Sequence, residues 1–116
     1  MHELAIADAV LTMALEQAPD RRVARVGMRI GHLRQVVPSS LRFSFALVAR
    51  ETPAAGAVLE IEEVPVSVRC ARCDVESAPR GFPLTCGWCG DMSVRVTRGD
   101  EMLVEWIETD SLQVEG

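Results

Sequence analysis

Residues 59–73 read LEIEEVPVSVRCARC, and within them the apolar pattern changes phase once. Ala57, Leu59 and Ile61 alternate with Val58, Glu60 and Glu62, after which the apolar positions become Val64, Val66 and Val68. Side chains on a strand alternate faces with period two, so a slip of one residue sends every later side chain to the opposite face. Such a slip marks a bulge, or the point where the chain leaves one sheet for another module. Pro65 stands at the slip and has no N–H to give a ladder. Cys70 and Cys73 follow at once, so the stretch predicts a sheet on one side and a cysteine-built module on the other.

Outward from this junction the flanks supply an α+β frame. Leu4, Ala7, Leu11, Ala14 and Leu15 recur at helical spacing, and Ile6, Val10 and Met13 widen the stripe, which predicts a helix over Leu4–Gln17. Glu3 and Asp8 suit the positive end of that helix, and Pro19 and Asp20 stop it. Ala24, Val26, Met28 and Ile30 alternate with Arg25, Gly27 and Arg29, which predicts a strand over Arg22–Ile30. Pro38 opens a second helix marked by Leu41, Phe45 and Val48, and the turn-rich TPAAG at 52–56 breaks the chain after it. Further strands are expected at Ser93–Thr97 and Met102–Ile107, with RGD at Arg98–Asp100 as the turn between them. The expected architecture is two helices packed on a small mixed sheet, built from residues 1–65 and 98–116, with an inserted four-cysteine, zinc-ribbon-like module at 66–97.

Composition narrows the function classes. The 116 residues fit one domain of about 100–200 residues with a small embedded module, and 48% hydrophobic residues with 25% charged is a globular balance. The net charge of −5 gives no global basic field for a phosphate backbone, so nucleic acid is not the expected partner. All 12 basic residues are arginine, which removes P-loop and Schiff-base lysines from consideration. No apolar run approaches the roughly 18–20 residues of a membrane span. The apolar start of the chain is preceded by His2 and Glu3 rather than by positive charge, unlike a secretory signal. A cytoplasmic, uncleaved, non-membrane protein is expected. With 2 histidines and no nucleophile set beside a base, no catalytic group can be nominated, so the chain is expected not to be an enzyme.

CARC at Cys70–Cys73 and CGWC at Cys86–Cys89 are separated by 12 residues. Each CxxC turn aims two thiolates at one point, and two such turns give the closed tetrahedral sulfur site that structural zinc prefers. Iron in a rubredoxin-like site uses the same ligands. A closed site leaves no coordination place for water or substrate, which argues for structure rather than catalysis. Disulfides need an oxidising compartment, and a redox CxxC would use only one of the two motifs. Trp88, between two ligands, is expected to cover the site, and Arg69, Arg72 and Arg80 cluster near it. His32 is expected to be an ordinary polar residue at a strand end, and Glu62 and Glu63 solvated or bulge residues.

MHE opens the chain. The Met1 amine, the His2 amide nitrogen and the His2 imidazole can close adjacent chelate rings nearly in one plane, and such nitrogen-rich planar coordination suits Ni(II) or Cu(II). Glu3 can add an oxygen or its own amide. Binding through groups that shed protons weakens as pH falls.

Taken in order, MHE, RIGHL, Pro38 with LRFSF, LEIEEVPV, the two CxxC motifs and GDEMLVEWIE together resemble the HypA/HybF family across almost the whole chain. Members of that family are nickel metallochaperones of [NiFe]-hydrogenase maturation. The resemblance implies that the Met1 amine, His2 and Glu3 hold Ni(II) as transferred cargo, and that Cys70, Cys73, Cys86 and Cys89 bind structural Zn(II). It also implies a GTPase partner, HypB, and delivery to the [NiFe]-hydrogenase large-subunit precursor; the sequence leaves monomer and homodimer both open. Glu62 and Glu63 then acquire a second reading, as residues that help relate the two modules. Two departures stand out: CGWC has glycine where the family often has proline, and no carboxylate lies near the start of the second helix to complete the nickel site. The alternative class is a zinc-ribbon module that contacts protein or nucleic acid without nickel transfer.

Overall fold

The structure, a computed structural model, describes residues 2–110. Along the chain it forms α1 (His2–Gln17), β1 (Arg22–Gly31), a 3-10 turn (His32–Arg34), α2 (Pro38–Val48), β2 (Val58–Val64), β3 (Ser67–Cys70), β4 (Glu76–Ser77), β5 (Val94–Arg98) and β6 (Met102–Asp110). The strands make two three-stranded sheets, ordered β2-β1-β6 and β4-β3-β5. The chain divides into two compact units: Met1–Arg29, Val36–Glu62 and Leu103–Gly116 form the first, and Ile30–Gln35 with Glu63–Met102 form the second. The second unit therefore takes in the 3-10 turn after β1, and it extends beyond the segment 66–97 at both ends.

In the first unit, α1 buries Ala7, Val10, Leu11 and Ala14, the i, i+3, i+4, i+7 set of one helical face. The stripe is narrower than the sequence pattern suggests, because Leu4 and Met13 fall at its two margins and remain 46% and 45% exposed. Helix α2 packs against α1 and buries Leu41 and Phe45, one turn apart, with Ala49 continuing the face. Pro38 occupies the first turn of α2, where its missing N–H costs no hydrogen bond. The N-cap of α2, Val37, has no side chain that can cap. Its N–H instead donates to the Glu3 carboxylate at 3.2 Å, which fastens the start of α1 to the start of α2.

Strand β1 buries Val23, Val26 and Met28 in this unit, alongside Leu59 of β2. Gly27 is also buried, for a different reason: a Cβ there would stand 2.0 Å from Cε2 of the Trp106 indole, so the ring lies directly on the glycine backbone. The Arg25 guanidinium stacks 5.5 Å from the centre of the same ring, donates to Glu108 at 2.6 Å and pairs with Glu60. Arg29 pairs with Glu105 at 3.0 Å. Arginines of the central strand thus stand between glutamates of its two neighbours.

The phase slip proves to be a departure rather than a bulge within one strand. β2 ends at Val64, Pro65 and Val66 lie outside any ladder, and β3 begins at Ser67 in the other sheet. There β3 pairs antiparallel with β4 (Val68↔Ser77) and with β5 (Val68↔Val96, Cys70↔Val94). RGD is a turn as expected: Arg98 closes β5, and Gly99 takes φ 106°, a value that favours glycine. The final strand runs on to Asp110, three residues past the sequence expectation.

Candidate metal centre

Both CxxC motifs fold into the same backbone turn. In the first, the Asp74 N–H donates to the Cys70 carbonyl (2.9 Å) and the Cys70 N–H to the Val75 carbonyl (3.1 Å). In the second, Gly90 N–H donates to the Cys86 carbonyl (3.0 Å) and Cys86 N–H to the Asp91 carbonyl (2.9 Å). Each turn closes on a left-handed residue, Asp74 at φ 57° and Gly90 at φ 78°. Aspartate and glycine are among the few residues that visit this region readily. The turned amides point at sulfur: Arg72 and Cys73 N–H reach Cys70 Sγ at 3.3 and 3.5 Å, and Trp88 and Cys89 N–H reach Cys86 Sγ at 3.3 and 3.5 Å.

The four sulfurs of Cys70, Cys73, Cys86 and Cys89 all lie within 4.8 Å of one another. Cys70 to Cys89 is 3.7 Å and Cys73 to Cys86 is 3.6 Å, too long for disulfides. A tetrahedron of sulfurs about 2.3 Å from a central ion has edges of about 3.8 Å, so these separations fit one shared cation. Four thiolates cannot crowd together without a positive charge, and the acidities show it. The Cys89 and Trp88 amides draw the Cys86 thiol down to about 6. Burial, and the neighbouring sulfurs of Cys86, Cys70 and Cys89, push Cys73 up to about 12. At Cys89 the Asp91 amide favours the thiolate, but burial and the Cys70 and Cys86 sulfurs outweigh it and raise the thiol. Cys86 thus favours the thiolate, while Cys73 and Cys89 favour the thiol.

Trp88 does not cover the cluster. It is 74% exposed, because the turn that aims its amide at Cys86 sends its side chain outward. The arginines near the cysteines are committed to internal partners. Arg69 binds Asp74 at 3.0 Å, Arg72 binds Asp91 at 3.3 Å, and Arg80 donates to the Gly87 and Trp88 carbonyls. Asp91, which sequence reading passed over, accepts the Ser93 amide as well as Arg72, and both hold its carboxyl below the usual range. Glu76 does similar work across the sheet, accepting from Thr97 (2.6 Å) and Ser67 (3.2 Å).

In the first unit, the His2 imidazole stands 3.5 Å from the Glu3 carboxylate. The Val37 amide holds the Glu3 carboxyl below its ordinary range. Glu3 is 15% exposed while His2 is 56% exposed, so one of the pair is anchored and the other faces solvent. The expected Met1 amine lies outside the described residues. His32, in the second unit, stands 3.5 Å from Glu63, and Glu62 lies 3.6 Å from Arg29 in the first. Among the described residues, no helix is long and apolar enough to cross a membrane.

Comparison with known proteins agrees with this geometry. Over residues 1–109 the chain matches the family described as "Hydrogenase/urease nickel incorporation, metallochaperone, hypA". It is 43% identical over 115 residues to the hydrogenase maturation factor HypA of Chloroflexus aurantiacus, covering 94% of this chain and 99% of that one. It is 37% identical over 110 residues to the HypA of Geobacter metallireducens, covering 95% and 100%. The solution structure of the Ni metallochaperone HypA from Helicobacter pylori shares the fold, with a TM-score of 0.64 at 22% identity over 92% of this chain and 96% of that one. Two helices, two small sheets and a four-cysteine cluster, matched along nearly the whole sequence, place this chain in the HypA family of metallochaperones.

Proposed function

We propose that the chain is a nickel metallochaperone that binds Ni(II) through the Met1 amine, His2 and Glu3. Working in the cytoplasm with the GTPase HypB, it delivers the ion to the [NiFe]-hydrogenase large-subunit precursor. The nickel-binding α+β domain comprises residues 1–65 and 98–116, and the zinc module is 66–97. Cys70, Cys73, Cys86 and Cys89 hold Zn(II), which ties the module together and takes no part in transfer. All four ligand places are filled by thiolates, so that ion has no opening through which to leave for a client. The observation that carries the nickel reading is the His2–Glu3 pair at the start of α1, its carboxylate fixed by the Val37 amide and its imidazole open to solvent. Nickel held at the margin of the fold by few side chains can be surrendered to a partner that completes its coordination better. Partner contacts of the zinc-ribbon type with nucleic acid find less support, because Arg69, Arg72 and Arg80 each spend donors within the module.

The test is calorimetric titration of Ni(II) into zinc-loaded protein with its native start, beside His2→Ala and a variant carrying one extra residue before Met1. Stoichiometric binding that both changes abolish, with zinc content intact, is expected. Full affinity in either variant would move the nickel site elsewhere.

A further inference from the structure

The two knuckles match in their backbone donors but differ in one side chain. Cys86 Sγ, buried completely, has the Ser77 hydroxyl 3.8 Å away in addition to its two amides. The corresponding contacts to Cys70, in the first knuckle, come from the amides of Arg72 and Cys73. The Ser77 oxygen itself accepts the Gly87 N–H at 2.9 Å. With a lone pair committed to that amide, the single hydroxyl proton is left for the sulfur. Strand β4 holds Ser77 in register against Val68, two residues before Cys70, so the hydroxyl is fixed by the ladder.

At Gly87, glycine is required by space, and any residue but proline could supply the N–H. A Cβ at that position would stand 2.3 Å from the Ala78 carbonyl oxygen, and its N–H is the donor that orients Ser77. Proline at this place in the knuckle would have no N–H to give. Gly87 and Ser77, nine residues before Cys86, therefore act on the same sulfur.

We propose that Ser77 is a positioning residue for the metal-bound Cys86 sulfur, its hydroxyl aimed by Gly87. The inference rests on the reading of the four-cysteine cluster as a metal site. A thiolate that accepts an O–H hydrogen bond holds its lone pairs at lower energy, gives less charge to the ion and is fixed in direction. Outer-shell partners of this kind commonly change metal affinity by about 10–100-fold.

Cobalt(II) substituted into the full chain reads the effect through its sulfur-to-cobalt charge-transfer band, and a colorimetric chelator reads zinc loss. Removing the hydroxyl in Ser77→Ala raises the sulfur lone pairs, so the band should move to longer wavelength; the sulfur, now more basic and no longer fixed in direction, is protonated more readily, and zinc should be lost about tenfold faster. Ser77→Thr, which keeps the hydroxyl, should retain the parent band. A Ser77→Ala band and release rate equal to the parent's would overturn the inference, as would a Ser77→Thr spectrum displaced as far as that of Ser77→Ala, which would make side-chain volume the cause. A parent protein that takes up cobalt without the four-thiolate spectrum would remove the metal site itself, and this role of Ser77 with it.

Discussion

The two units are held together by different physics. The first buries Phe45, Leu41, Val26 and, on α1, Ala7 and Ala14, a core of carbon packed on carbon. Among the fully buried side chains of the second, two of three are cysteines, Cys70 and Cys86, joined by Val68. Hydrophobic burial stabilises in proportion to area and asks only for approximate shape, so the first unit should fold from its own sequence. The second centres on four sulfurs gathered at one point, a cluster that could hold a metal ion, and metal binding at such a site supplies folding free energy. The chain therefore pairs a unit packed on carbon with a module whose buried centre is sulfur.

The sharpest way to break this contrast is Cys86→Ser, or removal of the metal by chelation. Structural zinc contributes apparent free energies of about 10–16 kcal/mol in small fingers, so amide protection should vanish at Val68 and persist at Val26. Equal loss in both units would show that the first unit has no independent stability. Next in size is Phe45→Ala, a fully buried truncation that should cost about 3–5 kcal/mol. Its midpoint in urea should fall while zinc content stays at one equivalent. Gly27→Ala comes third. Its new methyl must displace the Trp106 ring, an overpacking cost of about 1–3 kcal/mol, seen as shifted indole resonances with the cysteine module undisturbed. The smallest effect is a proton count. Cys86, drawn down to about 6, is already ionised at neutral pH, so zinc uptake by the four thiols should release fewer than four protons. The sign follows from the same groups: metal binding needs thiolates, so affinity rises with pH and zinc is lost on acidification. Calorimetry in buffers of different ionisation enthalpy measures the count, and four protons at pH 7 would contradict the depressed Cys86.

Much of this contrast was legible in the sequence. Periodicity found both helices and β1, because an element that buries one face repeats its apolar residues at its own pitch. The phase slip at Pro65 located where the chain changes sheets, and each CxxC spacing brought two sulfurs together because the turn is short, while the fold of the module brings the two pairs to one point. What stayed hidden has no period. β4 is two residues long, so Ser77 carried no pattern that could mark it. The Glu3 carboxylate reaches the Val37 amide across 34 residues, a contact made by tertiary packing alone. Trp88 was expected over the site because it stands between two ligands, whereas the knuckle turn sends its side chain outward. Asp74 and Gly90, each directly after a CxxC, offered a signal that could have been used: both are residue types that accept the left-handed conformation closing the turn.

The outward turn of Trp88 has an optical consequence. The chain contains 2 tryptophans, one in each unit, and they meet different surroundings. Trp88 is 74% exposed between two metal ligands, while Trp106 is 39% exposed between Gly27 and the Arg25 guanidinium. Their emission is therefore separable without any label: Trp88 supplies a water-relaxed, readily quenched component, and Trp106 a shielded one. A paramagnetic ion seated among the four sulfurs would extinguish the first component by proximity. The protein thus carries its own two-channel fluorimeter for occupancy and folding.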